Sequence, residues 1–107
     1  MRKREPSEPP LRESELRLRA LECYAAAALG VGGTELTAAV RAGRQLTRLA
    51  PLRESGHRYL IRALAAQDNL AEALCVYGLL SECLRDQLGV SPSPATRDLY
   101  EELLAAT

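Results

Sequence analysis

The segment from Asn69 to Leu88 constrains the fold of this 107-residue chain more than any other. Its apolar residues recur at intervals of three and four, the spacing of one face of an α-helix. A second apolar line runs beside the first, so the apolar arc is wide and requires neighbouring helices or a partner to cover it. The first line consists of Leu70, Ala73, Leu74, Tyr77, Leu80, Leu84 and Leu88, and the second of Val76, Leu79 and Cys83.

The composition also favours helices. Hydrophobic residues make up 47% of the chain, whereas aromatic residues make up 4%, and the chain has neither Trp nor Phe. A core built from leucine and alanine suits closely packed helices better than a β-sandwich, and the length suits one small domain. We therefore predict an all-α fold.

Proline, glycine and small polar residues divide the chain into five predicted helices, after a flexible leader at residues 1–10. The helices run from Pro10 to Leu29, from a Thr34 cap to the residue before Pro51, from Leu52 to Gln67, from an Asp68 cap to Gly89, and from a Ser93 cap with Pro94 to Ala105. The inner residues outside the central segment are expected to be Leu11, Leu18, Leu21, Ala25, Ala28, Leu36, Ala39, Val40, Gly43, Leu46, Leu49, Gly56, Tyr59, Leu60, Ala63, Leu64, Leu99, Leu103 and Leu104.

An internal repeat of 34 residues relates the first two helices to the next two. The matched pairs are Thr34 with Asp68, Leu36 with Leu70, Ala39 with Ala73, Leu46 with Leu80, and Ala27 with Ile61. A helix–turn–helix unit of this length is typical of tetratricopeptide repeats. The sequence thus predicts a tetratricopeptide-like repeat of antiparallel helix pairs with a fifth, capping helix. The outer side of the first helix would then be open to a further repeat or to a second copy of the chain.

Three short runs occur in one order: PLRE at 51–54, AEALCVY at 71–77 and LGVSPSP at 88–94. Together they resemble the bacterial transcriptional activator domain, closely over 46–104 and more loosely over 11–46. The resemblance implies a tetratricopeptide-like module of bacterial regulators, including those of antibiotic pathways, that acts through protein contacts. Such regulators usually carry a winged-helix DNA-binding domain before the module. It also implies a module at 11–107 that lacks its first helical pair.

The partners implied by this resemblance are an RNA polymerase subunit, another domain of the same regulator, or a second copy of the chain. Family members tend to carry arginines on the helix after the Val-Tyr pair. In this chain that stretch, residues 78–84, is far less basic. The departure leaves a family-typical contact along that helix unsupported and is compatible with a more apolar interface.

Charge is unevenly distributed in this neutral chain. Residues 41–62 contain six arginines and one glutamate, whereas residues 63–107 contain two arginines and seven acidic residues. Helical spacing puts Arg41, Arg44 and Arg48 on one face, and Arg58 and Arg62 on another. These arginines form either solvated faces or a basic surface for an acidic partner or DNA phosphates. The zero net charge argues against direct DNA binding by this chain.

Two further groups allow alternative interpretations. Val76, Leu79 and Cys83 are either buried between helices or exposed as a seam for a dimer or another partner. Arg53 and Glu54 follow a helix-ending proline, and we expect them to tie neighbouring helix ends together rather than to contact a partner.

Catalytic, metal-binding and cofactor-binding roles find no support. His57 has no nucleophile motif around it, and the cysteines lack the close pairs of a zinc site. Cys23, Cys75 and Cys83 are odd in number and lie in apolar helical contexts, which indicates reduced thiols in the core of a cytoplasmic protein. No apolar run has the length of a membrane span.

The sequence therefore predicts a non-catalytic protein-interaction module of a bacterial transcriptional regulator that acts by recruitment or dimerisation. Two alternatives stay open: a helical-repeat adaptor unrelated to transcription, and a small-molecule sensor domain.

Overall fold

Five α-helices account for most of residues 11–106, the part of the chain that this computed structural model describes. They are α1 (Leu11–Val31), α2 (Leu36–Leu49), α3 (Glu54–Ala66), α4 (Leu70–Leu88) and α5 (Pro94–Ala105), with a short 3-10 turn at Gly33–Glu35. No strand occurs within residues 11–106. The all-α prediction is confirmed. Pro10 and the predicted leader lie outside the described residues, and the division into leader and module stays a prediction.

The helices form two rows. Helix α3 packs against α1 on one side and α5 on the other, so the odd-numbered helices make one row. Helix α2 covers α1 and α3, and α4 covers α3 and α5. The principal extents of 60 × 36 × 18 Å are those of a slab about two helices thick. This is the arrangement expected of stacked helix pairs.

The interior is built from the predicted leucines and alanines. Leu46, Leu64, Leu80 and Leu84 are each no more than 2% exposed, and Ile61 is equally well buried. Three residues predicted to be buried are instead exposed. They lie towards helix ends: Leu49 (46% exposed), Leu88 (56%) and Leu104 (44%).

Glycine lets α2 and α3 approach closely. A Cβ added to Gly43 would lie 2.9 Å from Cα and Cβ of Leu60, and one added to Gly56 would lie 2.9 Å from Cβ of Leu46. These separations are shorter than carbon–carbon contacts in packed interiors. Leu46 and Leu60 therefore each face a glycine on the other helix.

The predicted cap at Asp68 is wrong, because Asp68 terminates α3 instead. Its φ of 62° is left-handed, and the amide of Asn69 donates to the carbonyl of Leu64 at 2.9 Å. This is the bonding pattern of a Schellman-type helix end, which asparagine and aspartate tolerate better than other non-glycine residues. The cap position of α4 passes to Asn69, whose side-chain amide donates to Glu72 and accepts no capping hydrogen bond from a backbone amide.

The predicted cap at Thr34 is also wrong. Thr34 lies inside the 3-10 turn, where the amide of Glu35 donates to the carbonyl of Gly32 at 2.9 Å. Helix α2 therefore starts after Glu35, which makes no side-chain capping hydrogen bond. Since α3 begins at Glu54, its predicted start at Leu52 is two residues early.

The end of α4 and the start of α5 agree with the sequence. Gly89 adopts a left-handed φ of 68°, and the amide of Val90 reaches back to the carbonyl of Leu84. Ser93 occupies the N-cap position of α5 with Pro94 next to it. The Ser93 hydroxyl, however, bonds Glu54 rather than an amide of its own helix.

The repeat holds in the even-numbered helices, where Ala39 and Ala73 are both fully buried. The match of Ala27 with Ile61 is wrong, since Ala27 is exposed and Ile61 is 1% exposed. Buried Ala25 is the counterpart of Ile61, because the connection between α1 and α2 is longer than that between α3 and α4.

Candidate partner-binding surfaces

The Arg53 guanidinium joins the start of α3 to α1. Its Nε and Nη2 donate to the Glu22 carboxylate at 2.9 and 3.1 Å, and its Nη1 donates to Glu15 at 3.1 Å. Ser55 also donates to Glu22. Burial acts to raise the pKa of Glu22, but the hydrogen bonds from Arg53 and Ser55 outweigh it and hold that pKa below its usual range.

The neighbouring Glu54 joins α3 to α5. Its carboxylate accepts hydrogen bonds from the Ser93 amide at 3.0 Å, the Ser93 hydroxyl at 2.9 Å and the Thr96 hydroxyl at 2.6 Å. Burial acts to raise the pKa of Glu54, but the bonds from Thr96 and Ser93 prevail and lower it. The predicted structural role of Arg53 and Glu54 is confirmed: they connect α1, α3 and α5.

His57 is a structural residue in this arrangement. Its ring is 9% exposed, and Nε2 lies 2.8 Å from the Pro51 carbonyl, to which it donates. Nδ1 is buried without a hydrogen-bond partner. Burial lowers the pKa of His57, against the opposing influence of the Pro51 carbonyl and Glu54. The ring thus holds the turn before α3 in place.

Of the five candidate arginines, two interact with other residues of the domain and three are exposed. Arg44 forms an ion pair with Glu72 at 2.6 Å, and Arg58 donates to Thr96 at 2.9 Å. Arg41, Arg48 and Arg62 are exposed. Arg41 lines a groove against α1, whereas Arg44 lines one against α4, so these two arginines serve opposite sides of α2. A partner-binding role for these arginines stays a prediction.

The second apolar line of α4 is similarly divided. Val76 is 9% exposed and belongs to the core, Leu79 is 66% exposed, and Cys83 is partly buried. Val76 and Leu79 border a groove that also contains Arg44, Thr47 and His57. The three residues therefore do not form one exposed seam, and partner contact by Leu79 or Cys83 stays a prediction.

A continuous exposed apolar surface lies on α1, at residues that the sequence did not indicate as a site. Leu16, Tyr24 and Val31 are 54%, 53% and 74% exposed, and exposed Ala20 and Ala27 lie between them. We call these five residues the α1 stripe. Their spacing of four, four, three and four marks one helix face. The sequence shows this spacing, but it also shows a second apolar face on α1. From the sequence alone, either face could have been the buried one.

The α1 stripe has a covered counterpart on α3. Gly56, Leu60 and Ala63 are spaced four and three apart, as are Ala20, Tyr24 and Ala27 of the stripe. On α3 these residues are buried, and α2 packs against them through Gly43 and Leu46. The α1 stripe thus presents, uncovered, the kind of surface that α3 uses to bind a helix.

Other types of site are not evident in the described part of the chain. Within residues 11–106 there is no cluster of His, Cys, Asp or Glu that could hold a metal ion. The three cysteines are free, but the prediction that they lie in the core is wrong for Cys23 and Cys75, which are exposed, while Cys83 is partly buried. None of the described helices combines the length and hydropathy needed to cross a membrane.

Comparisons with known proteins add independent information. A family model described as the bacterial transcriptional activator domain matches residues 7–104. The chain is also similar to the regulatory protein AfsR of Streptomyces coelicolor, with 41% identity over 61 residues. That similarity covers 57% of this chain and 6% of the length of the relative. No solved structure matches the chain.

Proposed function

Because this chain belongs to the bacterial transcriptional activator domain family, we propose that it is the non-catalytic protein-interaction module of a bacterial transcriptional regulator. Its family and its similarity to AfsR make it a transcription regulatory domain. The finer proposal concerns mechanism: the domain acts by recruitment or dimerisation through the α1 stripe.

The observation that carries this proposal is the contrast between the two ends of the helix stack. At one end α5 packs on α3 and α4, and Leu99 and Leu103 are buried there. At the other end the α1 stripe presents a leucine, a tyrosine and a valine to solvent. Contiguous exposed apolar patches on small domains mark contact sites. Such a face suits a binding mode in which an apolar helix face packs into a groove.

The candidate partners are an RNA polymerase subunit, another domain of the same regulator, and a second copy of the chain. Direct DNA binding receives less support, because Arg44 and Arg58 already interact with acceptors of their own domain. Those acceptors compete with phosphate groups for the guanidinium N–H donors.

The test is a binding assay with the chain immobilised and with purified RNA polymerase subunits and regulator domains added one at a time. Tyr24→Glu puts a charge in the α1 stripe, and Ala71→Glu puts the same charge on an exposed residue of α4. We expect Tyr24→Glu to weaken binding about tenfold or more, as substitutions of central interface aromatics do, while Ala71→Glu leaves it unchanged. Equal effects of the two variants would contradict the proposed surface.

The alternative of a small-molecule sensor has weaker support. Ligand sites usually enclose ~300–1,000 Å³. The groove between α2, α3 and α4 has a volume of about 150 Å³, and the groove bordered by Tyr24, Val31 and Glu35, at about 350 Å³, lies wide open to solvent rather than enclosed. A thermal-shift screen with a metabolite panel addresses this alternative directly. A DNA-binding domain in the same reading frame would separate the transcriptional role from that of an unrelated adaptor.

A further inference from the structure

We propose that the α1 stripe binds the α1 stripe of a second copy of this chain, with the two helices antiparallel. This inference rests on the proposed docking role of the stripe and names its occupant. Two features favour this pairing: the order of residue sizes along the stripe and the charges beside it.

The antiparallel seam between α2 and α3 shows how helices of this chain pack. Leu46 of α2 faces Gly56 of α3, and Gly43 faces Leu60. Each large side chain thus occupies space that a glycine on the other helix leaves. Two helices can approach closely in this way only when large and small residues alternate in opposite order along them.

The α1 stripe meets this condition against itself. An antiparallel register that places Tyr24 opposite Ala27 of the second copy also places Val31 opposite Ala20 of that copy. Because the two-fold axis repeats each pairing, all four large residues of this overlap face an alanine. Leu16 lies at the edge of the overlap, beside the turn that follows α1 in the second copy. The stripe therefore fits its own copy without a contribution from any other exposed face of the described helices.

Charge supports the same register. Arg17 is exposed next to the stripe, and exposed Glu35 borders the groove formed by Tyr24 and Val31. The register that pairs Tyr24 with Ala27 brings Arg17 within reach of Glu35 of the second copy, once at each end of the interface. Opposite charges at the rim of an interface select a partner and its orientation.

The size of the stripe sets the strength of the expected dimer. One helix face buries less than the ~800 Å² per partner of a standard stable interface. We therefore expect a reversible dimer with a Kd on the order of micromolar. Dimerisation would then depend on the local concentration of the regulator.

Sedimentation equilibrium of the complete chain at low ionic strength tests the inference. The wild-type chain should shift from monomer to dimer as its concentration rises through the micromolar range. Arg17→Glu and Glu35→Arg should each weaken the dimer several-fold, and the double variant should restore it, because the exchanged charges again attract. Ala27→Glu should abolish the dimer, whereas the matched Ala71→Glu, on the exposed side of α4, should have no effect. Circular dichroism verifies that each variant is folded.

Three results would overturn the inference: a monomer at all concentrations, a dimer that withstands Ala27→Glu, or a double variant no stronger than the single ones. A monomeric chain that still binds a purified RNA polymerase subunit, and loses that binding on Tyr24→Glu, would retain the proposed function while refuting the dimer.

Discussion

Arg53 and Glu54 show how much of this fold depends on two adjacent residues. They have opposite charges and point to opposite neighbours, Arg53 to Glu22 of α1 and Glu54 to Ser93 and Thr96 of α5. Both ties are made at the start of α3, where backbone amides lack helical partners and a carboxylate is favourable. Together, Arg53 and Glu54 set the positions of α1 and α5 relative to α3. They thereby also set the position of the α1 stripe.

Replacing Arg53 should show how much its hydrogen bonds to α1 contribute to the free energy of unfolding. Arg53→Ala removes the paired bonds to Glu22, and we expect a loss of about 1–2 kcal/mol in the free energy of unfolding, allowing for partial solvent screening. Arg53→Lys keeps the charge but not the planar fork, so it should lose an intermediate amount. Chemical denaturation measures both. Arg48→Ala, at an exposed position of α2, is the control and should change stability little.

His57 should make stability depend on pH in a mildly acidic range. Burial lowers the pKa of His57 below its ordinary value of 6.5. The unfolded chain therefore binds a proton that the folded chain does not, and stability falls as the pH drops below 6.5. Above that pH the full stability is retained. Denaturation at a series of pH values should show this slope for the wild type and not for His57→Gln.

A second loss of stability is expected at lower pH, from the carboxylates. The pKa values of Glu22 and Glu54 lie below their ordinary value of 4.5, because the hydrogen bonds they accept outweigh burial. Their contribution is present above pH 4.5 and disappears as the pH falls through their folded pKa values.

If His57→Gln retained the slope between pH 6.5 and 4.5, the assignment to His57 would be refuted.

At the scale of elements, glycine has opposite effects in two settings. It permits close contact between two helices, whereas on an exposed helix surface it destabilises the helix. Gly43 lies in the α2–α3 seam, where even a methyl group would meet the backbone of Leu60. Gly78 lies on the exposed side of α4, where an added Cβ would have nothing within 4 Å. The same substitution at these two helical positions should therefore have effects of opposite sign.

Gly43→Ala should destabilise the domain by about 1–3 kcal/mol, the usual cost of overpacking. Gly78→Ala should stabilise it by up to about 1 kcal/mol, because alanine restricts the unfolded chain and favours the helix. Thermal or chemical denaturation of the two variants decides the matter. A stabilising Gly43→Ala would show that α2 and α3 are farther apart than described.

At the scale of the whole molecule, α3 is the centre of the stack. Among the elements of residues 11–106, α3 contacts each of the other four helices, whereas α1 contacts α2, α3 and the 3-10 turn. Such unequal packing produces local opening of peripheral elements before global unfolding. The first turns of α1 and the last turn of α4, where Leu88 is exposed, belong to the periphery.

Amide hydrogen exchange should follow this order. At concentrations well below the micromolar range, α3 should be the most protected helix and the start of α1 among the least protected. Raising the concentration should protect α1 selectively if its stripe binds a second copy. Equal protection of α1 and α3 in dilute solution would contradict the unequal packing.

Several features of this domain are determined by its sequence alone. The periodic leucines and alanines fix five helices, since only helical spacing gathers them on one face, and Pro51 and Gly89 end two of those helices for backbone reasons that no tertiary contact alters. The family likeness likewise resides in short runs of sequence. The buried positions of Ala39 and Ala73 follow from the repeat.

Which apolar faces stay exposed depends on how the helices pack against one another. Leu16, Tyr24 and Val31 have the same helical periodicity as buried residues, and their exposure results from the lack of a described helix on that side of α1. Likewise, Arg44 and Arg58 look like surface charges until α4 and α5 bring Glu72 and Thr96 to them. Periodicity specifies which residues share a face, but burial and ion pairing depend on which helix lies opposite.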